Sequence, residues 1–146
     1  MIGCIIQARM NSSRLPGKVM INVDNKHPLL YYVISQLQNS KLLDKIVVAT
    51  TTKKDDDEIY NYVTNTKVEC FRGSELDVLG RYYQCAKKFS LSTMVRIPAD
   101  KPMIDPYLMD KMITIFNSNS YEYVTNFLNF HSYKSEIVFH YCKNMV

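Results

Sequence analysis

Short apolar runs alternate along the chain with longer segments of helical periodicity. Four runs have the length and the apolar content of buried strands: 2–6, 45–50, 67–71 and 93–97. Helices are predicted in the segments that lie between or after these runs: 28–37, 55 onward, 76–89 and 105 onward. A fifth short strand is predicted at 121–124.

Polar residues at the segment ends support two of these helices. Three consecutive carboxylates, Asp55, Asp56 and Asp57, suit the positive end of a helix dipole. Asp105 precedes Pro106, an order typical of an N-cap followed by the first helical residue. We therefore expect one helix after the second strand and another after the fourth.

The repeated order of strand and helix indicates an α/β fold. Parallel strands need crossover connections, and those crossovers are usually helices. We therefore predict a doubly wound, mostly parallel sheet with helices on both faces, formed by one domain over residues 1–146. In such sheets ligands bind beyond the carboxyl ends of the strands, so chemistry is expected in the loops after the first, third and fourth strands.

Composition narrows the function classes. A hydrophobic content of 47% supports a folded core and argues against disorder. No apolar stretch approaches the roughly 18 residues of a membrane span, and no signal-peptide cleavage pattern is present, so we expect a cytoplasmic protein without membrane contact. The net charge of +4 comes from scattered lysines, which does not favour a nucleic-acid groove. The four cysteines lack metal-ligand spacing and are expected to be free thiols.

The loop after the first strand carries the most informative chemistry. Arg9, Arg14 and Lys18 place three cations within ten residues, among hydroxyl and amide side chains and one glycine. This mixture suits a triphosphate, whose oxygens accept hydrogen bonds from cations and from backbone N–H groups in a tight turn. Neither GxxxxGK[ST] nor GxGxxG is present. From the residues alone, an ordinary basic surface loop is the competing interpretation.

Several longer segments resemble a known family. The segments IIQARMNSSRLPGKVM, VVATTT, CFRGSELDVLGRYY and VRIPADKPMIDP are similar to the cytidylyltransferases that activate sugars. That group contains the acylneuraminate and deoxy-manno-octulosonate enzymes, and the likeness is strongest to its spore coat polysaccharide biosynthesis branch. The resemblance implies a Rossmann-like nucleotidyltransferase fold, in agreement with the pattern of strands and helices.

The resemblance also implies a set of nucleotide-binding residues: Ala8, Arg9, Met10, Ser13, Arg14, Lys18 and Arg72. Ala8 and its neighbours match positions that lie along the nucleoside in relatives. Arg9, Ser13 and Lys18 match positions that contact the phosphates. Arg14 belongs to the same loop. Because the similar proteins are cytidylyltransferases, the resemblance implies that this set binds CTP.

Two positions outside the first loop complete the implied site. Arg72 matches a position that reaches the cytosine or the ribose in relatives, although it could instead pair with Glu75 or Asp77. Asp100 matches an aspartate that holds Mg²⁺ in relatives, so the resemblance implies this metal cofactor. One carboxylate with phosphate oxygens is a ligand set that Mg²⁺ accepts. The competing interpretation of Asp100 is a cap or turn residue.

The implied reaction is transfer of CMP from CTP to a sugar, in particular an acidic sugar of surface polysaccharide. The anomeric hydroxyl attacks the α-phosphorus and pyrophosphate leaves. The implied catalytic residues are Arg9, Lys18 and Asp100, which would neutralise charge on the phosphates. CTP and a sugar acceptor are then the partners, and a homodimer is left open.

The chain departs from the family pattern beside the metal aspartate. Ala99 stands where relatives have glycine, Lys101 where they have a small or acidic residue, and Pro98 replaces a polar residue. Family domains continue past residue 146 and only a faint match is found at 135–139, so we expect a C-terminally incomplete domain with little turnover. Two other functions stay open: an inactive nucleotide-binding or partner-docking module, and a sugar nucleotidyltransferase that uses another base.

Overall fold

The computed structural model describes residues 1–118, 120–126 and 140–143. The strands are β1 (Ile2–Gln7), β2 (Lys45–Thr51), β3 (Glu69–Gly73), β4 (Thr93–Pro98), β5 (Tyr123–Val124) and β6 (His140–Lys143). The helices are α1 (Leu29–Leu37), α2 (Asp57–Thr64), α3 (Val78–Lys88) and α4 (Pro106–Ser118). Two short 3₁₀ helices cover Lys18–Met20 and Lys54–Asp56.

All of these strands belong to one sheet. Its order is β3-β2-β1-β4-β6-β5, with β1 to β4 parallel and β6 antiparallel to both β4 and β5. β1 lies at the centre of the parallel part, because Ile5 stands opposite Val47 of β2 and opposite Arg96 of β4. The prediction of a mostly parallel α/β sheet is confirmed.

Alternation of side chains along β1 divides the core between two faces. Cys4 and Ile6 lie on the face that packs against α1, α2 and α4, and Ile5 lies on the face that packs against α3. The first face buries the helix residues Leu30, Val33, Leu37, Ile59, Val63, Met109, Ile113 and Phe116. The second face buries Tyr82, Cys85 and Ala86. Helices therefore cover both faces as predicted, and the burial of these apolar side chains is the main stabilising term.

The two predicted helix starts have different outcomes. Asp105 caps α4 as expected, since its Oδ1 accepts hydrogen bonds from the backbone N–H of Tyr107 at 2.8 Å and of Leu108 at 3.2 Å. The aspartate run does not open an α-helix at its first residue. Residues 54–56 form a 3₁₀ turn, and α2 begins at Asp57.

Two boundaries differ from the sequence pattern. The apolar run predicts the third strand at 67–71, which is two residues too early. β3 pairs with residues 47–51 of β2 and therefore spans Glu69–Gly73. The helical pattern at 76–89 begins too early as well, since Asp77 accepts a hydrogen bond from the N–H of Gly80 at 2.7 Å and caps α3. The faint match at 135–139 lies outside the described residues.

Cys4, Cys70 and Cys85 are free thiols, as predicted. Cys4 and Cys85 are buried and Cys70 is half-buried. Burial raises the pKa of Cys70 to about 11 and that of Cys85 to about 12, so both stay protonated and unreactive at neutral pH. Within the described part of the chain, none of the helices has both the length and the apolar character needed to cross a membrane.

Gly3→Ala should destabilise the fold, because a Cβ at this position would lie 2.4 Å from Cδ1 of Leu91. We expect the free energy of unfolding to fall by roughly 1–3 kcal/mol, as in other overpacked cores, which chemical denaturation would measure. In a Leu91→Ala background the obstructing methyl groups are gone, and the same substitution should cost much less. Equal losses in the two backgrounds would contradict this contact.

Candidate functional site

The carboxyl ends of β1, β3 and β4 meet at one edge of the sheet because these strands run parallel. The segments 8–18, 72–75 and 98–101 therefore lie at that edge, as the sequence predicts, although Arg72, Gly73 and Pro98 still belong to their strands. A cleft between the first and the last of these segments is lined by Gln7, Arg9, Ser12, Lys18, Val19, Pro98, Ala99 and Asp100. It lies where the chain crosses over to opposite sides of β1, which is the usual ligand site of doubly wound sheets.

The loop after β1 folds back on itself, which brings its two ends together. Gly17 has a left-handed backbone with φ of 70°, a conformation that disfavours side chains. Its N–H donates to the carbonyl oxygen of Met10 at 2.7 Å, and the N–H of Ser12 donates to the same oxygen at 3.0 Å. Lys18 follows directly and returns to the cleft that Arg9 also lines.

A buried carboxylate fastens this loop to β2. Asp56 is only 3% exposed, and its Oδ1 accepts a hydrogen bond from the N–H of Met10 at 2.7 Å. Its Oδ2 accepts hydrogen bonds from the hydroxyl and the backbone N–H of Thr51, at the end of β2. The sequence pattern assigned Asp56 to a helix start and missed this role. The sequence signal for it is the position of the aspartate shortly after β2, whose carboxyl end lies at the same edge of the sheet as the cleft.

Lys18 and Asp100 form an ion pair in the cleft, with side chains 28% and 31% exposed. Burial alone would raise the pKa of Asp100. The hydrogen bond from Lys18 and the charges of Lys18 and Lys101 outweigh it and hold that pKa below its ordinary value. Asp100 is therefore an ionised carboxylate at neutral pH, and the predicted metal ligand is in direct contact with a predicted phosphate cation.

Three of the residues predicted for the nucleotide and the metal come together at the cleft: Arg9, Lys18 and Asp100. Ser13 and Arg14 are exposed and lie outside the lining, where Ser12 supplies the hydroxyl instead. Ala8 is buried, and its N–H donates to the carbonyl oxygen of Ala49 at 3.2 Å. Nucleotide contacts of Ala8, Ser13 and Arg14 stay predictions.

Arg72 lies on β3, two strands away from β1, and its guanidinium is bonded to protein groups. Nε and Nη2 donate to the carbonyl oxygens of Thr51 and Lys53, at 2.9 and 2.8 Å. Nη1 pairs with Asp57 at 2.6 Å. The alternative partners named from the sequence, Glu75 and Asp77, have other contacts. Glu75 pairs with Lys53 at 2.6 Å, and Asp77 caps α3. A nucleotide contact of Arg72 stays a prediction.

The cleft has one carboxylate to offer a metal ion. Within the described ranges, no three His, Cys, Asp or Glu side chains cluster closely enough to hold one. Mg²⁺ accepts a single protein carboxylate when phosphate oxygens and waters complete its coordination shell. The residues present therefore fit an ion that arrives with a triphosphate, rather than one held by the protein alone.

The sequence of almost the whole chain fits one protein family. A family model described as cytidylyltransferase matches residues 3–141, a range that includes all residues lining the cleft. The chain belongs to the cytidylyltransferase family. This finding confirms the resemblance of the loop segments.

Two curated relatives match most of this cytidylyltransferase-family chain. The spore coat polysaccharide biosynthesis protein SpsF of Bacillus subtilis is 37% identical over 128 residues, which are 84% of this chain and 53% of that protein. The 3-deoxy-manno-octulosonate cytidylyltransferase of Lawsonia intracellularis is 30% identical over 128 residues, 83% of this chain and 48% of that protein. The chain thus spans about half the length of the curated relatives it matches.

A solved structure from the same family has the same fold. A cytidylyltransferase from Leptospira borgpetersenii superposes with a TM-score of 0.89 at 31% sequence identity. The superposition covers 97% of this chain and 60% of that one. The prediction of a Rossmann-like nucleotidyltransferase fold is confirmed.

Asp56→Ala should loosen the loop after β1, because it leaves the N–H of Met10 without its acceptor. We expect the free energy of unfolding to fall by roughly 1–3 kcal/mol, together with faster hydrogen exchange at that amide. The control Glu58→Ala removes an exposed carboxylate of α2 and should change stability by less than about 0.5 kcal/mol. Similar losses in the two variants would rule out the anchoring role.

Proposed function

We propose that this protein transfers CMP from CTP to a sugar with release of pyrophosphate, and that the acceptor is an acidic sugar of surface polysaccharide. The observation that carries the proposal is the convergence of Arg9, Lys18 and Asp100 on one cleft in a chain of the cytidylyltransferase family. The relatives support the choice of acceptor, since one acts in spore coat polysaccharide biosynthesis and another on 3-deoxy-manno-octulosonate.

The charges of the cleft account for recognition of the triphosphate. Arg9 is exposed, and the side chain of Lys18 is 28% exposed, so phosphate oxygens can reach both cations. Hydrogen bonds from a cation to a phosphate are about twice as strong as neutral ones. The hydroxyl of Ser12 adds a neutral donor to the same lining.

Mg²⁺ would be held by Asp100 together with oxygens of the triphosphate. When bound, the ion neutralises charge that develops on the phosphates. Lys18 competes for the same carboxylate, because it pairs with Asp100 in the structure. The triphosphate offers Lys18 other acceptors, so nucleotide binding frees Asp100 and the two ligands bind cooperatively.

The transfer needs no covalent intermediate with the protein. The oxygen of the anomeric hydroxyl bonds to the α-phosphorus, the bond from that phosphorus to the leaving pyrophosphate breaks, and the hydroxyl proton passes to solvent. Arg9 and Lys18 stabilise the negative charge on the pyrophosphate. Alignment of the two substrates in one cleft supplies the rest of the rate enhancement.

A second candidate function is nucleotide binding with little turnover. The surroundings of Asp100 favour it, because Lys18 pairs with the carboxylate and Lys101 adds a second positive charge. Pyrophosphate release from CTP, measured with Mg²⁺ and a panel of acidic sugars, separates the two candidates. Rapid release supports the transferase, whereas CTP binding without release supports the binding module.

Lys18→Ala should have opposite effects on the two ligands. CTP binding should weaken by roughly 1.5–3 kcal/mol, because one charge-assisted contact is lost. Binding of Mn²⁺ without nucleotide should strengthen, because Asp100 loses its partner. Calorimetry measures both, and Lys111→Ala is the control because Lys111 is an exposed lysine of α4 outside the cleft lining.

Unchanged CTP affinity in Lys18→Ala would remove its phosphate role. Tighter binding of GTP or ATP than of CTP by the unaltered chain would assign the site to another base.

Asp100→Asn should abolish the dependence of CTP binding on Mg²⁺, because the amide keeps the shape of the side chain but removes its charge. The comparison is CTP affinity with and without Mg²⁺ in the parent chain and the variant. Asp105→Asn is the matched control, since Asp105 caps α4 in the same connection. Dependence on Mg²⁺ that survives in Asp100→Asn would rule out Asp100 as the metal ligand.

A further inference from the structure

Three polar residues from different elements meet where β1 and β4 end. The hydroxyl of Tyr82, on α3, donates to Oε1 of Gln7 at 3.0 Å. Nη2 of Arg96, on β4, lies 3.4 Å from the same oxygen, and its Nε donates to the Tyr82 hydroxyl at 3.2 Å. Of these three residues only Gln7 lines the cleft. The Gln7–Tyr82–Arg96 cluster therefore presents one amide to a ligand.

The partners of Gln7 fix the orientation of its amide. A guanidinium has donors and no acceptor, so the amide oxygen and not the amide nitrogen must face Arg96. Burial raises the pKa of Tyr82 to about 12, although the Arg96 charge opposes this, and the hydroxyl stays protonated as the second donor. With the oxygen engaged on the α3 side, the N–H groups of Gln7 are the part left for a ligand.

The neighbours of Gln7 offer a ligand little else. Gln7 stands opposite Pro98 in the register of β1 and β4, and each is the last residue of its strand. Pro98 has no N–H, and neither Pro98 nor Ala99 has a polar side chain. Where β1 and β4 end side by side, Gln7 therefore supplies the polar side chain for a ligand.

The charge behind Gln7 selects an anionic group. Among the described residues no carboxylate forms an ion pair with Arg96. Its guanidinium lies against the Tyr82 ring, 5.5 Å from the centroid, and polarises the Gln7 amide through the bond to its oxygen. A carboxylate of the ligand would accept the strongest hydrogen bond from such an amide.

Gln7 and Arg9 line the same cleft, Gln7 as the last residue of β1 and Arg9 in the loop that follows. Gln7 is bonded to Arg96 of β4, which pairs with β1 on the side away from β2. The amide is thus held from the β4 side of β1.

We infer that the amide N–H of Gln7 binds a carboxylate of the acceptor sugar, while Tyr82 and Arg96 position the amide. The inference rests on the proposed function, because it assigns a contact of the acceptor in the same cleft. It makes Gln7 a specificity residue for acidic over neutral acceptors.

The test measures binding and does not need turnover. Acidic sugars, beginning with 3-deoxy-manno-octulosonate and N-acetylneuraminate, are titrated into the chain saturated with Mg²⁺ and a CTP analogue with a methylene bridge between the α and β phosphorus atoms. Gln7→Leu should weaken sugar binding roughly 10-fold to 100-fold and leave the affinity for the analogue unchanged. Gln7→Glu should weaken it further, because it places a carboxylate against a carboxylate.

Two further variants separate recognition from folding. Tyr82→Phe removes the hydroxyl that holds the amide, and it should weaken sugar binding several-fold without a change in affinity for the analogue. Gln84→Leu is the matched control, because Gln84 is an exposed glutamine of α3 outside the cleft lining, and it should have no effect. Thermal melts confirm that each variant is folded.

Three results would overturn the inference. Unchanged sugar binding in Gln7→Leu would overturn it and leave the proposed function standing. Weaker binding of the CTP analogue, with sugar binding intact, would make Gln7 a nucleotide contact. A parent chain that binds the analogue but none of the acidic sugars would contradict the proposed acceptor, and the inference would fall with it.

Discussion

Parallel pairing of β1 with both β2 and β4 is the constraint on which the rest of the structure depends. Cys4, Ile5 and Ile6 are fully buried, so β1 cannot slip by one residue without exchanging the side chains that face α3 for those that face the other helices. Once this register is fixed, the carboxyl ends of the strands share one edge. Lys18 and Asp100, 82 residues apart in the chain, then meet in the cleft.

The ion pair between Lys18 and Asp100 keeps the cleft ready for ligands at little energetic cost. Both side chains are about a third exposed, and pairs of that kind contribute about 0–1 kcal/mol to stability. A charge-assisted contact with a phosphate is worth roughly 1.5–3 kcal/mol, which exceeds the cost of separating the pair. Before a ligand binds, Lys18 and Asp100 keep each other in position, and Asp56 holds the loop that carries Lys18.

The sequence predicts the fold well because the local spacing of apolar residues indicates the order of strands and helices. Parallel pairing of the strands then determines which loops lie at the same edge of the sheet. Arg9, Lys18 and Asp100 could be placed together on that basis. The partner of Arg72 could not, because Asp57 comes from α2 and the contact depends on how close the packed helix brings its short carboxylate to the Arg72 guanidinium. Nor could the Gln7–Tyr82–Arg96 cluster, whose members come from three elements. Such contacts follow from packing, which periodicity does not encode.

A crystal structure of the chain with CTP and Mn²⁺, with the metal located by its anomalous signal, tests the central claim most directly. We expect Mn²⁺ within coordination distance of Asp100, the triphosphate against Arg9 and Lys18, and the Lys18 ammonium on a phosphate oxygen instead of on Asp100. A nucleotide bound away from this cleft would contradict the proposed site. So would a Lys18–Asp100 pair that stays intact beside a bound triphosphate.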